Sequence, residues 1–451
     1  MLRQLSTYIN RRYATLAGLL LGALWVWLAL GDHFRLPTSI DWNIYSNTPE
    51  YHEQGSAKDS SNATDVFDFP AVDSEAIKSI CGETQWNSSV IFTCDNSVGG
   101  IGNIRNSILN CVRYAISAGG SLVVPQIIVR DAADIARIRT GERTSMDYMF
   151  DVPHFMQSLH LSCPGLRLYP KTEDIPNRPD AKNLIALLPE SIVDAIPKTG
   201  LRNPEQWRGT FYTWLEQFQS SDELKIVELG RSYLQYPIHS DGEAFATTFG
   251  SILKFRSDVR VLATTTLRAL GDKFNLGFKG NLDEPVLKNS YFGAHLRTEK
   301  DAKEGWPGGD WKYSRYDTQS ALYLEQASKS NTSVIYVSSG DLNEIHTFSK
   351  DAESIRMPVT SKSDLLSGKD KAELEAMAWD QQGLVDFLVM LKSSDFAGVG
   401  HSSFAWNIAL KRHVYAEKKD HLDGPQMLSD ELSQVYGFPR GYPEYAACLW
   451  P

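Results

Sequence analysis

The chain has 451 residues, of which 42% are hydrophobic and 22% are charged. This length and composition exclude a wholly disordered protein and predict two globular domains with appendages. The formal net charge of −10 and the pI near 5.5, without a long Lys/Arg run, argue against a nucleic-acid partner. Any phosphate group that binds must therefore be held by a local site.

The N-terminal segment predicts a membrane anchor. Arg3, Arg11 and Arg12 precede residues 13–31, which carry no charge and are numerous enough to span a bilayer. The arginine bias places residues 1–12 in the cytoplasm and the remaining chain across the membrane. A cleaved signal peptide is the competing interpretation, but the apolar run exceeds the usual length and no small-x-small cleavage site follows it. We expect a single-pass type II protein of the Golgi or endoplasmic reticulum membrane, with its catalytic part in the lumen.

Residues 32–80 are predicted to form a stem. Most of this segment is rich in Ser, Asn, Asp and Thr and has little apolar periodicity, as is typical of a solvated linker. Asn-x-Ser/Thr triplets at Asn62, Asn87 and Asn331 would accept glycans if the body is luminal.

Five cysteines allow two disulfides and one free thiol in an oxidising compartment. We predict a Cys81–Cys94 bond, because it would close a short loop ahead of the first strand, whereas Cys111 falls inside a predicted helix. The partners of Cys163 and Cys448 stay open. The chain has no Cys-x-x-Cys, which argues against zinc-ribbon and thioredoxin-like sites.

Residues 81–280 predict a first α/β domain. A buried apolar run at 90–93 indicates a strand, the glycine-rich stretch at 99–103 a turn, and the periodicity of 104–117 a helix. A strand at 122–124 completes a βαβ unit, the usual start of a doubly wound sheet. The turn lacks Gly-x-Gly-x-x-Gly, and no acidic residue ends the next strand, so an NAD enzyme is disfavoured. Further predictions are helices at 204–219 and 245–270 and a strand at 225–229.

Residues 281–451 are predicted to form a second α/β domain. The Gly/Asn/Asp/Pro-rich stretch at 271–289, which overlaps its start, is the predicted linker between the two domains. If the strand at 291–297 continues, His295, Arg297 and Glu299 share one of its faces, because residues two apart point the same way. The competing interpretation is a structural Arg297–Glu299 ion pair. The following elements are predicted as a helix at 318–328, a strand at 334–337 and a helix at 342–349.

The stretch near the carboxyl end predicts an anion site. Leu384, Phe387, Leu388 and Leu391 form one helical face, and a buried strand follows at 396–399. Two serines, Ser402 and Ser403, then precede another apolar helical run that starts at Phe404, so they suit the cap and first turn of a helix at a strand's carboxyl end. Free backbone N–H groups, the helix dipole and two hydroxyls would bind phosphate there. An ordinary serine-capped helix is the alternative.

Three motifs occur in order: Gly-Gly-Ile-Gly-Asn-Ile-Arg at 99–105, His-Leu-Arg at 295–297, and Asp386 followed after a helix by Ser-Ser-Phe at 402–404. In this trio the chain resembles the protein O-fucosyltransferases. The resemblance implies an α/β protein of GT-B type, with two Rossmann-like doubly wound domains that face each other across a cleft. It implies transfer of fucose from GDP-fucose to a Ser/Thr hydroxyl of a protein or to a glycan.

The resemblance also implies roles for individual residues. Arg297 would meet the pyrophosphate, His295 would lie against the nucleoside, and Asp386 would contact guanine. Asn103 would face the sugar and the acceptor, with Arg105 close by, so Asn103 and Arg297 are the catalytic candidates. The remaining residues assigned to nucleotide-sugar binding are Gly100, Gly102, Ser402, Ser403 and Phe404.

The sequence has no Asp-x-Asp triplet, which argues against a metal-dependent sugar transferase, so no metal or other cofactor is expected. The base that deprotonates the acceptor stays open, with Glu299 and Asp301 as candidates by position. Two alternatives to this function are a membrane-anchored glycoprotein that retains the fold without turnover, and a transferase for another GDP-sugar.

Overall fold

The computed structural model describes residues 65–131, 141–178, 184–218, 224–278, 282–299, 301–302, 312–419, 429–438 and 441–451. The predicted membrane anchor and most of the predicted stem lie outside these residues. Within the described part, no helix is long and apolar enough to cross a membrane. All described residues belong to one compact unit, Asn62–Pro451.

The first half of the chain forms a five-stranded parallel sheet, in the order β5-β2-β1-β7-β6. Its central strand β1 is buried along its whole length, which explains why the strand reads as a continuous apolar run. A separate antiparallel pair, β3 and β4, lies outside this sheet. The strands are β1 (Val90–Thr93), β2 (Ser121–Val123), β3 (Gln126–Ile128), β4 (Arg143–Ser145), β5 (Leu168–Tyr169), β6 (Ile185–Leu187) and β7 (Lys225–Leu229).

The second half forms another five-stranded parallel sheet, in the order β10-β9-β8-β11-β12. Here the strand order reverses between β8 and β11, which is the switch point where doubly wound sheets leave a crevice at the carboxyl ends of their strands. The strands are β8 (Phe292–His295), β9 (Ile335–Ser338), β10 (Val359–Thr360), β11 (Asp395–Val399) and β12 (Ser433–Tyr436). The α/β class with two parallel sheets agrees with the prediction, whereas the domain boundary near residue 280 stays a prediction.

Helices connect and cover the strands. They are α1 (Glu75–Glu83), α2 (Ile101–Ala118), α3 (Val152–Ser162), α4 (Trp207–Leu215), α5 (Glu243–Phe249), α6 (Ser257–Lys273), α7 (Tyr316–Lys329), α8 (Leu342–Ala352), α9 (Lys362–Leu365), α10 (Gly368–Ala376), α11 (Trp379–Leu391), α12 (Ser403–His413) and α13 (Pro443–Cys448).

Helix α2 begins three residues earlier than predicted. Gly99 adopts a positive φ of 114° and Gly100 caps the helix, so that Gly102 and Asn103 lie in the first helical turn rather than in a loop. The glycine-rich sequence suggested a longer turn, but only Gly99 adopts a backbone conformation that other residues avoid.

The predicted helix at 245–270 is divided, because α5 gives way to a 3₁₀ turn at Gly250–Ile252 before α6 begins. A Cβ on Gly250 would collide with the oxygen of Pro451, so distant chain packs tightly against this turn. The strand at 291–297 is also shorter than predicted. It ends at His295, and Arg297 and Glu299 follow in a loop.

The predicted Cys81–Cys94 bond is wrong. Cys81 on α1 bonds to Cys163 at the end of α3, with 5.4 Å between their Cα atoms, and Cys94 bonds to Cys111 on α2. Strand β1 lies between Cys81 and Cys94 and extends by about 13 Å, which carries Cys94 away from α1. Cys448 is a buried free thiol.

The last residues of the chain return to the first half of the protein. Trp450 is completely buried, and its ring lies 4.8 Å from that of Phe249 on α5. The indole Nε1 donates to Asn110 Oδ1 on α2 at 2.8 Å, and Asn106 Oδ1 accepts from the Trp450 backbone N–H at 2.9 Å. The C-terminal segment is therefore part of the core around α2 and α5.

Candidate active site

The candidate site lies at the carboxyl ends of β8 and β11, at the switch point of the second sheet. His295 ends β8, and the chain after β11 turns through Gly400 and His401 into α12. Because parallel strands end at one edge, this topology brings together residues that are about 100 positions apart in sequence.

The N-terminus of α12 has the predicted geometry. Ser402 is the N-cap, and its hydroxyl oxygen accepts from the Ala405 N–H at 3.3 Å. Ser402 is buried, whereas Ser403 is partly exposed in the first turn. The backbone donors of the first turn and the Ser403 hydroxyl can therefore reach a ligand, and the helix dipole favours an anion there.

His295 is held against this helix end. Its Nε2 lies 3.2 Å from Ser402 Oγ, and its ring packs on Phe404 with the centroids 4.5 Å apart. Burial lowers the pKa of His295 to about 4, so the ring is neutral at physiological pH. Because Ser402 Oγ already accepts from a backbone N–H, its own proton can go to Nε2. This leaves Nδ1, which has no partner among the described residues, as a buried N–H donor.

The N-terminus of α2 meets the N-terminus of α12. A Cβ on Gly102 would lie only 2.6 Å from the Ser403 carbonyl oxygen, so glycine is needed for this approach. Asn407 reinforces the contact, since its Nδ2 donates to Ser403 O at 2.7 Å and its Oδ1 accepts from Arg105 Nη1 at 3.0 Å. Helix α2 follows β1 of the first sheet, and α12 follows β11 of the second. The positive ends of these two helices thus face the same region.

Asn103 lies in the first turn of α2 beside Gly99. A Cβ on Gly99 would lie 3.1 Å from Asn103 Nδ2, so the amide folds over this glycine. The Asn103 Oδ1 is buried and accepts no hydrogen bond from a described residue. A buried acceptor without a donor costs about 1–3 kcal/mol, which a ligand hydroxyl or N–H could recover on binding.

Arg105 lies close to Asn103 on α2, as expected, but its guanidinium is used within the protein. Its guanidinium is buried and donates to the carbonyl oxygens of Gly250 and Trp450 and to a Pro451 oxygen, in addition to Asn407. Arg105 therefore joins α2 to the C-terminal segment.

Arg297 is held by two carboxylates. Its Nη1 donates to Glu299 Oε2 at 2.5 Å and to Asp301 Oδ1 at 2.8 Å, and its Nη2 donates to Asp301 Oδ2 at 2.7 Å. Burial opposes the charge, but Glu299 and Asp301 outweigh this effect and raise the pKa of Arg297. No described residue accepts from Nε, so the edge formed by Nε and the second Nη2 hydrogen is available to a ligand.

The two carboxylates are themselves anchored. Asp301 Oδ2 also accepts from Arg130 Nη2 at 2.7 Å, and the Arg130 guanidinium lies over the Trp379 ring. Glu299 Oε1 accepts from the Gly340 N–H at 2.8 Å. Burial raises the pKa of Glu299, but the charge of Arg297 outweighs burial, so the pKa is lowered and Glu299 is a weak base.

The family model of the GDP-fucose protein O-fucosyltransferases matches residues 90–415. The chain belongs to this family. It is therefore a glycosyltransferase of the GDP-fucose O-fucosyltransferase family, as the ordered trio of motifs predicted. A search of curated proteins finds no significant match.

Solved fucosyltransferases show a distant likeness in structure. POFUT1 in complex with GDP-fucose is 14% identical, with 79% of this chain and 99% of that chain covered and a TM-score of 0.45. Arabidopsis thaliana FUT1, as a mutant in complex with GDP, is 11% identical over 75% and 71% of the chains, with a TM-score of 0.37. NodZ from Bradyrhizobium is 12% identical over 72% and 94%, with a TM-score of 0.35.

In this family member, Asp386 is buried on α11 and already holds three donors. Its Oδ1 accepts from the Tyr336 hydroxyl at 2.6 Å, and its Oδ2 accepts from Ser338 Oγ at 3.0 Å and from Lys362 Nζ at 2.5 Å. The predicted contact between Asp386 and guanine stays a prediction. It requires a lone pair that these donors leave unused, or the displacement of one of them.

Sequence reasoning missed three residues near the site: Arg130, Arg231 and His401. Arg231 follows β7 and approaches Gly99, and its guanidinium stacks 4.1 Å from the Tyr233 ring centroid. The sequence signal for Arg231 was its position just after the carboxyl end of a parallel strand, where ligand-binding residues lie. Arg297 was identified from the same kind of position. His401 is buried beside Arg297, and burial lowers its pKa to about 3.

The described residues include no group of three or more His, Cys, Asp or Glu side chains that could hold a metal ion. Positive groups at the site include Arg297, Arg130 and the two helix N-termini.

Proposed function

We propose that this chain transfers fucose from GDP-fucose to a Ser/Thr hydroxyl of a protein, with inversion at the anomeric carbon. The observation that carries the proposal is that Arg297, which contacts His401, and the α12 N-terminus lie at one edge of the second sheet, beside the first turn of α2 that holds Asn103. The family match supports GDP-fucose as the donor.

The donor diphosphate would bind between α12 and Arg297. As the glycosidic bond breaks, negative charge grows on the leaving phosphate, and fixed donors that face this charge lower the barrier. The Nε edge of Arg297 and the N–H groups of the first turn of α12 supply such donors. Glu299 and Asp301 keep the guanidinium in place, which favours a positioning role for Glu299 over that of the base.

The sugar and the acceptor would lie on the α2 side. The Asn103 Oδ1, which accepts from no described residue, would accept from a hydroxyl of either substrate. Contacts between the two halves of the chain, such as that of Arg130 with Asp301, support a GT-B arrangement with the cleft between residues 81–280 and 281–451.

We also propose the luminal, type II topology. The two disulfides support this proposal, because such bonds persist in oxidising compartments. The arginine-flanked apolar run at 13–31 supplies the anchor.

GDP release measured across a panel of GDP-sugars, with folded protein acceptors and with glycans, tests the function. We expect release with GDP-fucose that depends on a protein acceptor. Release with another GDP-sugar would identify a different donor, and stimulation by glycans alone would identify a different acceptor. Tight GDP binding without transfer to any acceptor would favour a non-catalytic glycoprotein.

A further inference from the structure

The carboxyl-terminal half of α12 borders a second cavity, of about 460 Å³. Residues 66–69, the end of α11 and the segment from Leu253 to Phe255 form the other walls, with Lys411 and Pro451 beside them. Lys411 lies nine residues after Ser402, or about 13 Å along the helix. None of the residues assigned to the donor site lines this cavity, so it is a separate space.

Several cations in its wall are paired with carboxylates. Arg260 donates to Asp65 at 2.8 Å and to Asp151 at 3.3 Å, and Lys254 donates to Asp68 at 2.8 Å. These groups need no further partner.

Two other cations donate chiefly to the main chain. Lys392 donates to the carbonyl oxygens of Leu282 and Glu284 at 2.7 and 2.8 Å. Arg412 donates to four carbonyl oxygens and to the Ser433 hydroxyl. Their hydrogen-bonding capacity is therefore used within the protein.

Lys411 differs from all of these cations. Within the described part of the chain, its ammonium has no hydrogen bond and no ion pair, and its charged neighbour Arg105 has the same sign. Burial, together with Arg105, lowers the pKa of Lys411. Arg105 donates to a Pro451 oxygen at 2.6 Å, and a bound anion beside Lys411 would favour the charged ammonium that burial disfavours.

Part of the lining is apolar. It includes Phe67, Phe255, Phe387, Leu388 and Leu391. A volume of about 460 Å³ lies within the range of pockets that hold small organic ligands. The lining also includes the carboxylate of Asp283, which partly offsets the lowering of the pKa of the neighbouring Lys392 by burial. The cavity thus combines Lys411, which has no partner among the described residues, with a surface that suits a flat or branched hydrocarbon body.

We infer that this cavity is a second ligand site, which binds a small amphipathic anion with its charged group at Lys411 and its apolar body against the phenylalanine and leucine wall. The head group is a carboxylate, sulfonate or phosphate, since each offers oxygens to an ammonium. The site is independent of the donor site and of the proposed transfer reaction.

Isothermal titration of the full chain with naphthalene-1-sulfonate tests this inference. We expect one binding site, and the same site in the presence of saturating GDP. Lys411→Met should weaken binding by roughly tenfold or more, because a charge-assisted hydrogen bond is lost. Lys411→Arg should retain binding. The matched control Lys198→Met, at an exposed lysine, should bind like the wild type.

Two comparisons complete the test. Inorganic sulfate and uncharged naphthalene-1-sulfonamide should each bind more weakly than the sulfonate, because sulfate has no apolar body and the sulfonamide has no negative charge. Lys411→Met should also melt no lower than the wild type, since it removes an unmatched charge. The inference would be overturned if the sulfonate does not bind, if Lys411→Met binds it as well as the wild type, or if sulfate binds as tightly. Competition by GDP or a marked loss of stability in Lys411→Met would also overturn it. Failure of fucose transfer would leave these results unaffected.

Discussion

At the scale of single residues, the site depends on how Arg297 is held. Two carboxylates occupy one side of the guanidinium and leave its Nε edge to the ligand. The Arg297–Glu299 ion pair, which was the alternative to the pyrophosphate role, is therefore present. The two are compatible, because the carboxylates and a phosphate would accept from different N–H groups of Arg297.

Replacement of Arg297 should lower turnover severely. We expect Arg297→Ala to lose about 10²–10³-fold in kcat, by analogy with the loss of a donor that stabilises transition-state charge. Arg297→Lys should remain impaired, because an ammonium cannot bond both carboxylates and a phosphate in one plane. Steady-state kinetics with GDP-fucose measures this, with Arg202→Ala, at an exposed arginine, as the control. Near-normal turnover of Arg297→Ala would reduce the residue to a structural ion pair.

Replacement of Asn103 should separate function from stability. Because Oδ1 has no donor in the described structure, Asn103→Ala should melt at or above the wild-type temperature while transfer falls. GDP affinity should stay nearly unchanged, since the amide faces the proposed sugar and acceptor side. Calorimetry and titration with GDP measure these effects. A large loss of stability would show that the amide serves the fold.

At the scale of elements, short-range patterns were good predictors of position and poor predictors of boundaries. The buried strands at 90–93 and 225–229 and the Ser402 cap agree with prediction, because each depends on neighbouring residues alone. The divided helix at α5 and α6 and the Cys81–Cys163 bond do not, because each depends on packing against distant chain. Arg130 and His401 were missed for the same reason, since only the fold brings Arg130 to Asp301 and His401 to Arg297.

The contact between α2 and α12 gives a prediction at this scale. Gly102→Ala places a methyl group 2.6 Å from the Ser403 oxygen, so the two helix ends must move apart. We expect a loss of about 1–3 kcal/mol in the free energy of unfolding and weaker GDP binding.

Chemical denaturation and titration with GDP measure these two effects. The control is Gly209→Ala on α4, where a Cβ meets nothing within 4 Å and stability should not fall. If Gly102→Ala behaves like this control, the helix ends do not need their close approach.

At the scale of the whole molecule, glycan acceptance depends on exposure. Asn331 is exposed at the end of α7, where its Nδ2 donates to Asn289 Oδ1 at the surface. Asn87 is partly buried, and its Nδ2 donates to the Tyr212 hydroxyl. If the body is luminal, Asn331→Gln should remove a glycan and Asn87→Gln should change little. Gel mobility after endoglycosidase treatment of the chain made in secretory cells shows this. An unglycosylated Asn331 in such cells would argue against the luminal topology.

The C-terminal segment gives a second prediction at this scale. Trp450→Ala should cost about 3–5 kcal/mol in unfolding free energy, because it empties a large buried volume between α2 and α5. Trp450→Phe should lose less, since it keeps a packed ring and gives up the Asn110 hydrogen bond and only part of the buried volume. Thermal melting of the two variants distinguishes this from a loosely attached tail, for which both changes would be neutral.

The Trp450 anchor also sets an order of events during synthesis. Its bond to Asn110 joins residues that are 340 positions apart, and Arg105 donates to Trp450 and Pro451 across 345 and 346 positions. The first sheet leaves the ribosome long before these residues are made. Part of its core therefore stays exposed to solvent until they are synthesised. We expect nascent chains released before residue 449 to be held by chaperones, with release only when residues 449–451 have packed against α2 and α5.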